Sequence, residues 1–387
     1  MATIEQPDHT GRFTVRARGL DDEDEDRQRS DLLKQLSKIP KDAEKVMIDD
    51  STPSDLEWRL LGDHLTSVKD LELDAGFEED LNDKGIPQHW PLERLVFASS
   101  CGQVFQSPFV LEGKVEHLAL YLTCGLRFEG PTTEELCREY SEAIKSGEKE
   151  AEYVGKIQFT YIPALVSEWM QKEYGNKTVF GHPNPPPPQQ IKLRKLEILE
   201  NDAMDAMNRF MVALPHLADQ IQTLNIRSTH NLDFHYSSEE MVPQVLPQFP
   251  KLETLVFSVG EVFKSKDLLP KLYEYFPRTL TTLRFRGPAS LVKSEHWKEW
   301  IDAFANPEYL PHVTKLSFVL DLWYEKGEND YRATEKEVPE DVLKEAREAC
   351  EGLYKVARGR GITIEPFYDE WAERCRIFRQ VDDRWTM

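Results

Sequence analysis

The 387-residue sequence predicts an α/β solenoid with one short strand and one helix per unit. Three observations carry that expectation. A six-residue apolar phrase recurs along the chain, its copies are spaced to suit one strand plus one helix, and the intervals contain amphipathic helical segments. Stacking such units gives a parallel sheet on a concave face and helices on a convex one.

The phrase is an apolar residue, two free positions, Leu, one free position and a second apolar residue. It reads VKDLEL at 68–73, LERLVF at 92–97, VEHLAL at 115–120 and LRKLEI at 193–198. It returns as IQTLNI at 221–226, LETLVF at 252–257, LTTLRF at 280–285 and VTKLSF at 313–318. Two looser copies, AEKVMI at 43–48 and VGKIQF at 154–159, fall where the spacing requires a unit, so successive copies start 23 to 39 residues apart.

The intervals have helical periodicity. NDAMDAMNRFMVALPHL places Met204, Met207, Phe210, Met211, Leu214 and Leu217 on one face behind an Asn201 or Asp202 cap. Ser294 precedes Trp297, Trp300, Ile301 and Phe304 in the same way, and SDLEWRLLGDHL, TTEELCREYSEAI and KSKDLLPKLYEYF fill comparable slots. Such methionine and aromatic stripes are read as core rather than as a cofactor box. From 338 to 387 a capping helix stops at Gly359 and Gly361 and leads into the strand Ile362–Ile364. Residues 1–35, with the acidic run Asp21–Asp26, are expected to form a disordered arm, and 36–387 a single domain of about ten units. HPNPPPPQQ at 182–190 reads as a stiff surface loop, with an SH3 or WW ligand as the alternative.

Over residues 40–365 these phrases, spacings and helices resemble the leucine-rich-repeat superfamily, whose strand phrase is followed by Asn or Cys. Only Asn201 meets that pattern; Gly76, Ser100, Thr123, Thr229, Gly260, Pro288 and Asp321 stand at the other turns, so the repeats are irregular. They are similar to the repeat regions of F-box-type substrate adaptors and of many fungal proteins. That resemblance implies a non-catalytic adaptor or scaffold for protein–protein interaction. The one F-box candidate, IPKDAEKVM from Ile39, fits better as the first strand of the series, so no working F-box is expected.

Charge and composition narrow the function. With 48 basic and 69 acidic residues the net charge is −21, which argues against a general binder of nucleic acid or anionic membrane. No apolar run suits a signal peptide or a membrane helix. Cys101, Cys124, Cys137, Cys350 and Cys375 form no C-x-x-C pair, which favours the cytoplasm or nucleus and leaves the Asn176 sequon unglycosylated.

No catalytic motif stands out, so no enzyme activity, catalytic residue, cofactor or metal is expected. Cys101 in SSCGQ has no identifiable His partner, and a small-residue turn explains it. His230, Asp233 and His235 are the basis of the alternative reading, a metal-dependent hydrolase on a compact α/β fold.

Strand alternation singles out a binding surface. The free positions flanking the central Leu share one face: Asp70, Glu72 and Asp74 in the first full copy. Later copies place Thr223, Asn225 and Arg227 there, then Thr254, Val256 and Ser258, then Thr282, Arg284 and Arg286, then Lys315, Ser317 and Val319. Arg227, Thr254, Ser258, Arg284, Arg286 and Lys315 are therefore the candidate binding residues, suited to an acidic or phosphorylated protein segment. An acidic strip is expected at the opposite end of the series.

Overall fold

Nine strand phrases become strands in the computed structural model, and each strand begins two residues inside its phrase. The structure describes residues 7–19, 24–75, 81–98, 104–121, 127–128, 188–200, 203, 206–207, 210, 214, 216–228, 242–243, 246–259, 268–326 and 333–372. The strands are β1 (Phe13–Arg16), β2 (Lys45–Asp49), β3 (Asp70–Asp74), β4 (Arg94–Ala98), β5 (His117–Tyr121) and β6 (Lys195–Glu200). They continue as β7 (Thr223–Ser228), β8 (Thr254–Ser258), β9 (Thr282–Pro288), β10 (Lys315–Leu322) and β11 (Thr363–Ile364). These eleven strands form one sheet whose order follows the chain from β1 to β11. Its registered ladders are parallel.

The phrase does more than supply alternating apolar residues. Its leading residue is buried ahead of the strand in all nine described copies: Ala43, Val68, Leu92, Val115, Leu193, Ile221, Leu252, Leu280 and Val313. The carbonyl of its second residue then accepts from two successive N–H groups of the next described unit. Glu44 accepts from Lys69 and Asp70, Lys69 from Glu93 and Arg94, Glu93 from Glu116 and His117, and Glu116 from Arg194 and Lys195. The same fork joins Gln222 to Glu253 and Thr254, Glu253 to Thr281 and Thr282, and Thr281 to Thr314 and Lys315. The copy at 154–159 lies outside the described residues.

Backbone packing divides the chain into two compact units, one holding the described residues up to Glu197 together with 214–217, the other holding the rest. In the first unit, α1 (Glu25–Leu36) and α2 (Asp55–His64) pack together. Strand β1 and α1 correct the expectation of a disordered arm over 1–35. Gln28, Leu32 and Leu36 recur every fourth residue and are buried, and Val15 is buried from β1. Part of the acidic run thereby becomes a helix start: Asp24 caps α1 by accepting from the N–H of Arg27, and Glu25 and Asp26 face the positive end of the helix dipole. Helix α2 opens on a capping box, with Ser54 and Glu57 accepting from each other's N–H groups. Its Trp58 donates from Nε1 to the Asn82 carbonyl and lies against Gly85.

In the second unit, α3 (Trp297–Ala305) and α4 (Glu340–Gly359) cover the apolar sheet face. Phe285 of β9 and Phe318 of β10 stack at 4.9 Å, and each lies 5.5 Å from Trp300 of α3. Trp300 donates from Nε1 to the Pro270 carbonyl at 2.7 Å, so its one polar atom is satisfied in the core. Val342, Ala346, Cys350, Leu353 and Ala357 form the buried stripe of α4, and the turn beyond it uses Gly361 at φ +80°. KSKDLLPKLYEYF departs from the expected helix. Leu272–Tyr275 form a 3₁₀ turn, since Pro270 lacks the N–H that an α-helix through this stretch would use.

A methyl group on Gly85 would stand 1.9 Å from Trp58 Cδ1, which cannot withdraw while its indole N–H is held. Gly85→Ala is expected to destabilise the first unit by about 1–3 kcal/mol, read as a lower urea midpoint at unchanged slope.

Candidate functional site

Parallel pairing brings the sequence-predicted residues into rows across the second unit. Ser258 pairs with Arg227 on one side and with Arg286 on the other, so the three stand in register on β7, β8 and β9. Two strand spacings, about 10 Å, separate the two arginine backbones. One row along, Arg284 pairs with Ser317; in the next, Thr254 pairs with Thr223 and Thr282, and Thr282 with Lys315. The intervening Leu255, Phe257, Leu283, Phe285, Leu316 and Phe318 are buried toward the helices. All six candidate binding residues therefore lie on one face.

That face is occupied by carboxylates of the same chain. Asp369 Oδ2 lies 2.5 Å from both Arg227 Nη1 and Arg286 Nη1, bridging the outer strands of the row. Arg286 donates from Nε to Asp321 Oδ1 at 2.6 Å. Glu365 faces Arg284 at 3.6 Å and Lys315 at 3.5 Å. Arg227 is 4% and Ser258 5% exposed, whereas the Arg284 and Lys315 side chains keep 40% and 55% of their exposure. The row is thus graded from a buried floor to a half-open rim. Burial alone would raise the pKa of Asp369, but Arg227 and Arg286 overcome it and hold the carboxyl below its usual value. Ser317 is 1% exposed, and its hydroxyl has no hydrogen-bond partner among the described residues.

Sequence reasoning missed the three carboxylates. Asp321 was read as a turn residue but lies within β10, which runs on to Leu322 past a register shift at Gly287 and Pro288. Glu365 was legible once Ile362–Ile364 was read as a strand, since it stands one residue beyond the Leu316–Ile364 pair. Asp369 has no periodic signal, because the chain there leaves regular structure.

The equivalent face of the first unit corrects a second expectation. Asp70, Glu72 and Asp74 do not form an open acidic strip. Asp70 is held between Arg12 at 3.1 Å and Arg94 at 2.7 Å, and Glu72 lies 2.8 Å from Arg12 and is buried. Along the same face, buried Glu197 takes His117 Nε2 and Lys195 Nζ at 2.6 Å each, and Tyr121 donates to it at 3.3 Å. Burial pushes His117 below its ordinary value, so at neutral pH it faces Glu197 as the neutral imidazole, and Lys195 supplies the positive charge. Burial would raise Glu197, but the protons on His117 and Lys195 outweigh it and pull the carboxyl down to about 2.

Other chemistry is weak among the described residues. A cleft of about 620 Å³ runs past the strand starts of the second unit, lined by Gln222, Glu253, Thr281 and His312 among others. The Thr279 and Thr281 hydroxyls beside it already donate to the carbonyls of Leu252 and Glu253. Cys350 is buried in α4, and burial pushes its thiol up to about 12, the opposite of an activated nucleophile. No group of three metal-ligating side chains occurs among the described residues, while Cys101, His230, Asp233 and His235 lie outside them. No family model, curated protein or solved structure matches this chain.

The Glu197 cluster predicts acid sensitivity in two windows. Unfolding lets His117 return to 6.5 and Glu197 to 4.5, so in both ranges the unfolded chain binds more protons and stability falls with pH. The first loss begins below about 6.5 as unfolded His117 charges; the second spans about 4.5 to 2 and is on the order of 3 kcal/mol. Urea midpoints measured from pH 7 to 3 check this, and Glu197→Gln is expected to flatten the lower window.

Proposed function

We propose that this chain is a non-catalytic protein-interaction scaffold. It is an irregular leucine-rich-repeat solenoid whose polar strand face in the second unit docks an acidic or phosphorylated segment of a partner protein. The observation that carries this reading is the Asp369 carboxylate shared by Arg227 and Arg286, an anion of the chain itself seated on the row. Two guanidinium groups from alternate strands converge on one anionic group, with Ser258 in the row between them. Arginine suits this role because its planar fork binds carboxylate and phosphate oxygens directionally. Arg284 and Lys315 add positive charge at the half-exposed rim, where an arriving segment would first meet the protein.

A parallel sheet with one-to-one register supports this work, because each added strand contributes side chains at a fixed spacing without a new loop geometry. The role would be that of an adaptor within the cytoplasm or nucleus, needing no cofactor. A chain of net charge −21 that carries a basic row would reject nucleic acid at long range while accepting an anionic peptide locally.

The test is affinity capture from cell extract with the wild type and with Arg284→Glu/Lys315→Glu, whose half-exposed side chains can change without emptying the core. A subset of partners is expected to be lost from the variant and recovered with Arg284→Lys. Identical partner lists at an unchanged urea midpoint would remove this surface as the docking site.

A further inference from the structure

The occupant of the basic row is a specific stretch of the chain, Glu365 to Trp371, and its path is informative. Strand β11 pairs Thr363 with Lys315 and Ile364 with Leu316, and the N–H of Glu365 still donates to the Leu316 carbonyl. Beyond it the chain leaves the ladder at Pro366, which has no N–H to continue it. Four residues after Glu365, Asp369 engages Arg227 of β7 and Arg286 of β9. The segment therefore turns from lying along the strands to crossing them. At about 3.3–3.6 Å per residue, four residues cover about 14 Å, close to three strand spacings.

This strap is anchored at few points. Residues 365–369 have no regular secondary structure. Its described attachments are the Glu365 N–H on the Leu316 carbonyl and the two carboxylates, and Trp371 is buried at its far end. Between them Tyr368 is 80% exposed. Beneath it the fit is incomplete. Ser317, one residue beyond the Leu316–Ile364 pair as Glu365 is, is buried with its hydroxyl unpartnered among the described residues, a state that costs free energy and that a different anionic group could relieve.

We propose that Glu365–Trp371 is a built-in ligand of the basic row, displaced when a partner docks. Its own layout then specifies the partner: an extended peptide crossing the strands, with two anionic side chains four residues apart and an aromatic residue two further on. This rests on the docking reading above and adds to it both the ligand pattern and a closed resting state. While the strap is seated, only the fraction of molecules with the row open can bind, so apparent affinity falls by that fraction.

The test uses the full chain and a fluorescein-labelled peptide of residues 364–372, alongside a version with phosphoserine at the positions of Glu365 and Asp369. Glu365→Gln/Asp369→Asn is expected to bind at least one of them about tenfold tighter than wild type. Adding Arg286→Gln should abolish the gain. The phosphorylated version binding tighter would identify phosphate as the preferred anion; the carboxylate version would identify an acidic partner.

A second measurement covers the case in which the variant fails to fold. Saturating wild type with peptide should speed amide exchange at Phe367 to Trp371 and leave Thr363 and Glu365, held by the carbonyls of Thr314 and Leu316, protected. No gain in the strap variant, a gain insensitive to Arg286→Gln, or unchanged exchange at 367–371 would overturn the proposal. If captured partners still depend on Arg284 and Lys315, the strap idea alone falls; if they do not, the docking reading falls.

Discussion

A single forked hydrogen bond, repeated seven times, sets every position that matters on this sheet. In seven of the nine described copies the carbonyl of the second phrase residue takes the N–H groups of the second and third residues of the next described copy. The fork forms before the strand proper begins, so each new strand enters the ladder at the same height as its predecessor. Side chains alternate with a period of two, and a slip of one residue would carry the guanidinium groups into the core and the phenylalanines into solvent. The buried leading residue of each phrase, from Ala43 to Val313, holds the fork in place from the apolar side.

Once register is fixed, electrostatics becomes a problem of rows. Charged residues at equivalent phrase positions face one another at about 4.8 Å, and like charges at that spacing are costly unless something intervenes. The first unit alternates signs, with Arg12, Asp70 and Arg94 in contact across the face. The second places Ser258 between Arg227 and Arg286 and brings the missing anion from outside the ladder, as Asp369. Both solutions neutralise buried charge with a group from outside the strands, Arg12 in the first unit and Asp369 in the second. Buried ion pairs are in general weak sources of net stability, because desolvation offsets much of the attraction.

Legibility in the sequence followed the same divide. Strand starts, the alternation that places Arg227, Arg284 and Arg286 together, and the closing helix and strand were readable, because each is imposed by local periodicity. The failures were of two kinds. FTVR at 13–16 and the helix at 25–36 were obscured by an acidic run, although Leu32 and Leu36 carry a core-facing stripe. The carboxylates that fill the basic row were illegible for a different reason: Asp369 lies 83 residues from Arg286 and 142 from Arg227, and no pattern encodes a crossing strap.

The sheet's two outer strands carry one more consequence. Strand β1 is four residues long and β11 only two, and after one more ladder hydrogen bond from Glu365 the latter meets Pro366. An eleven-stranded parallel sheet is a long template, and an unfinished margin of hydrogen-bonding groups invites a second molecule to add its own strand. Short margins, one of them ended by a residue without an N–H, leave little for a newcomer to pair with.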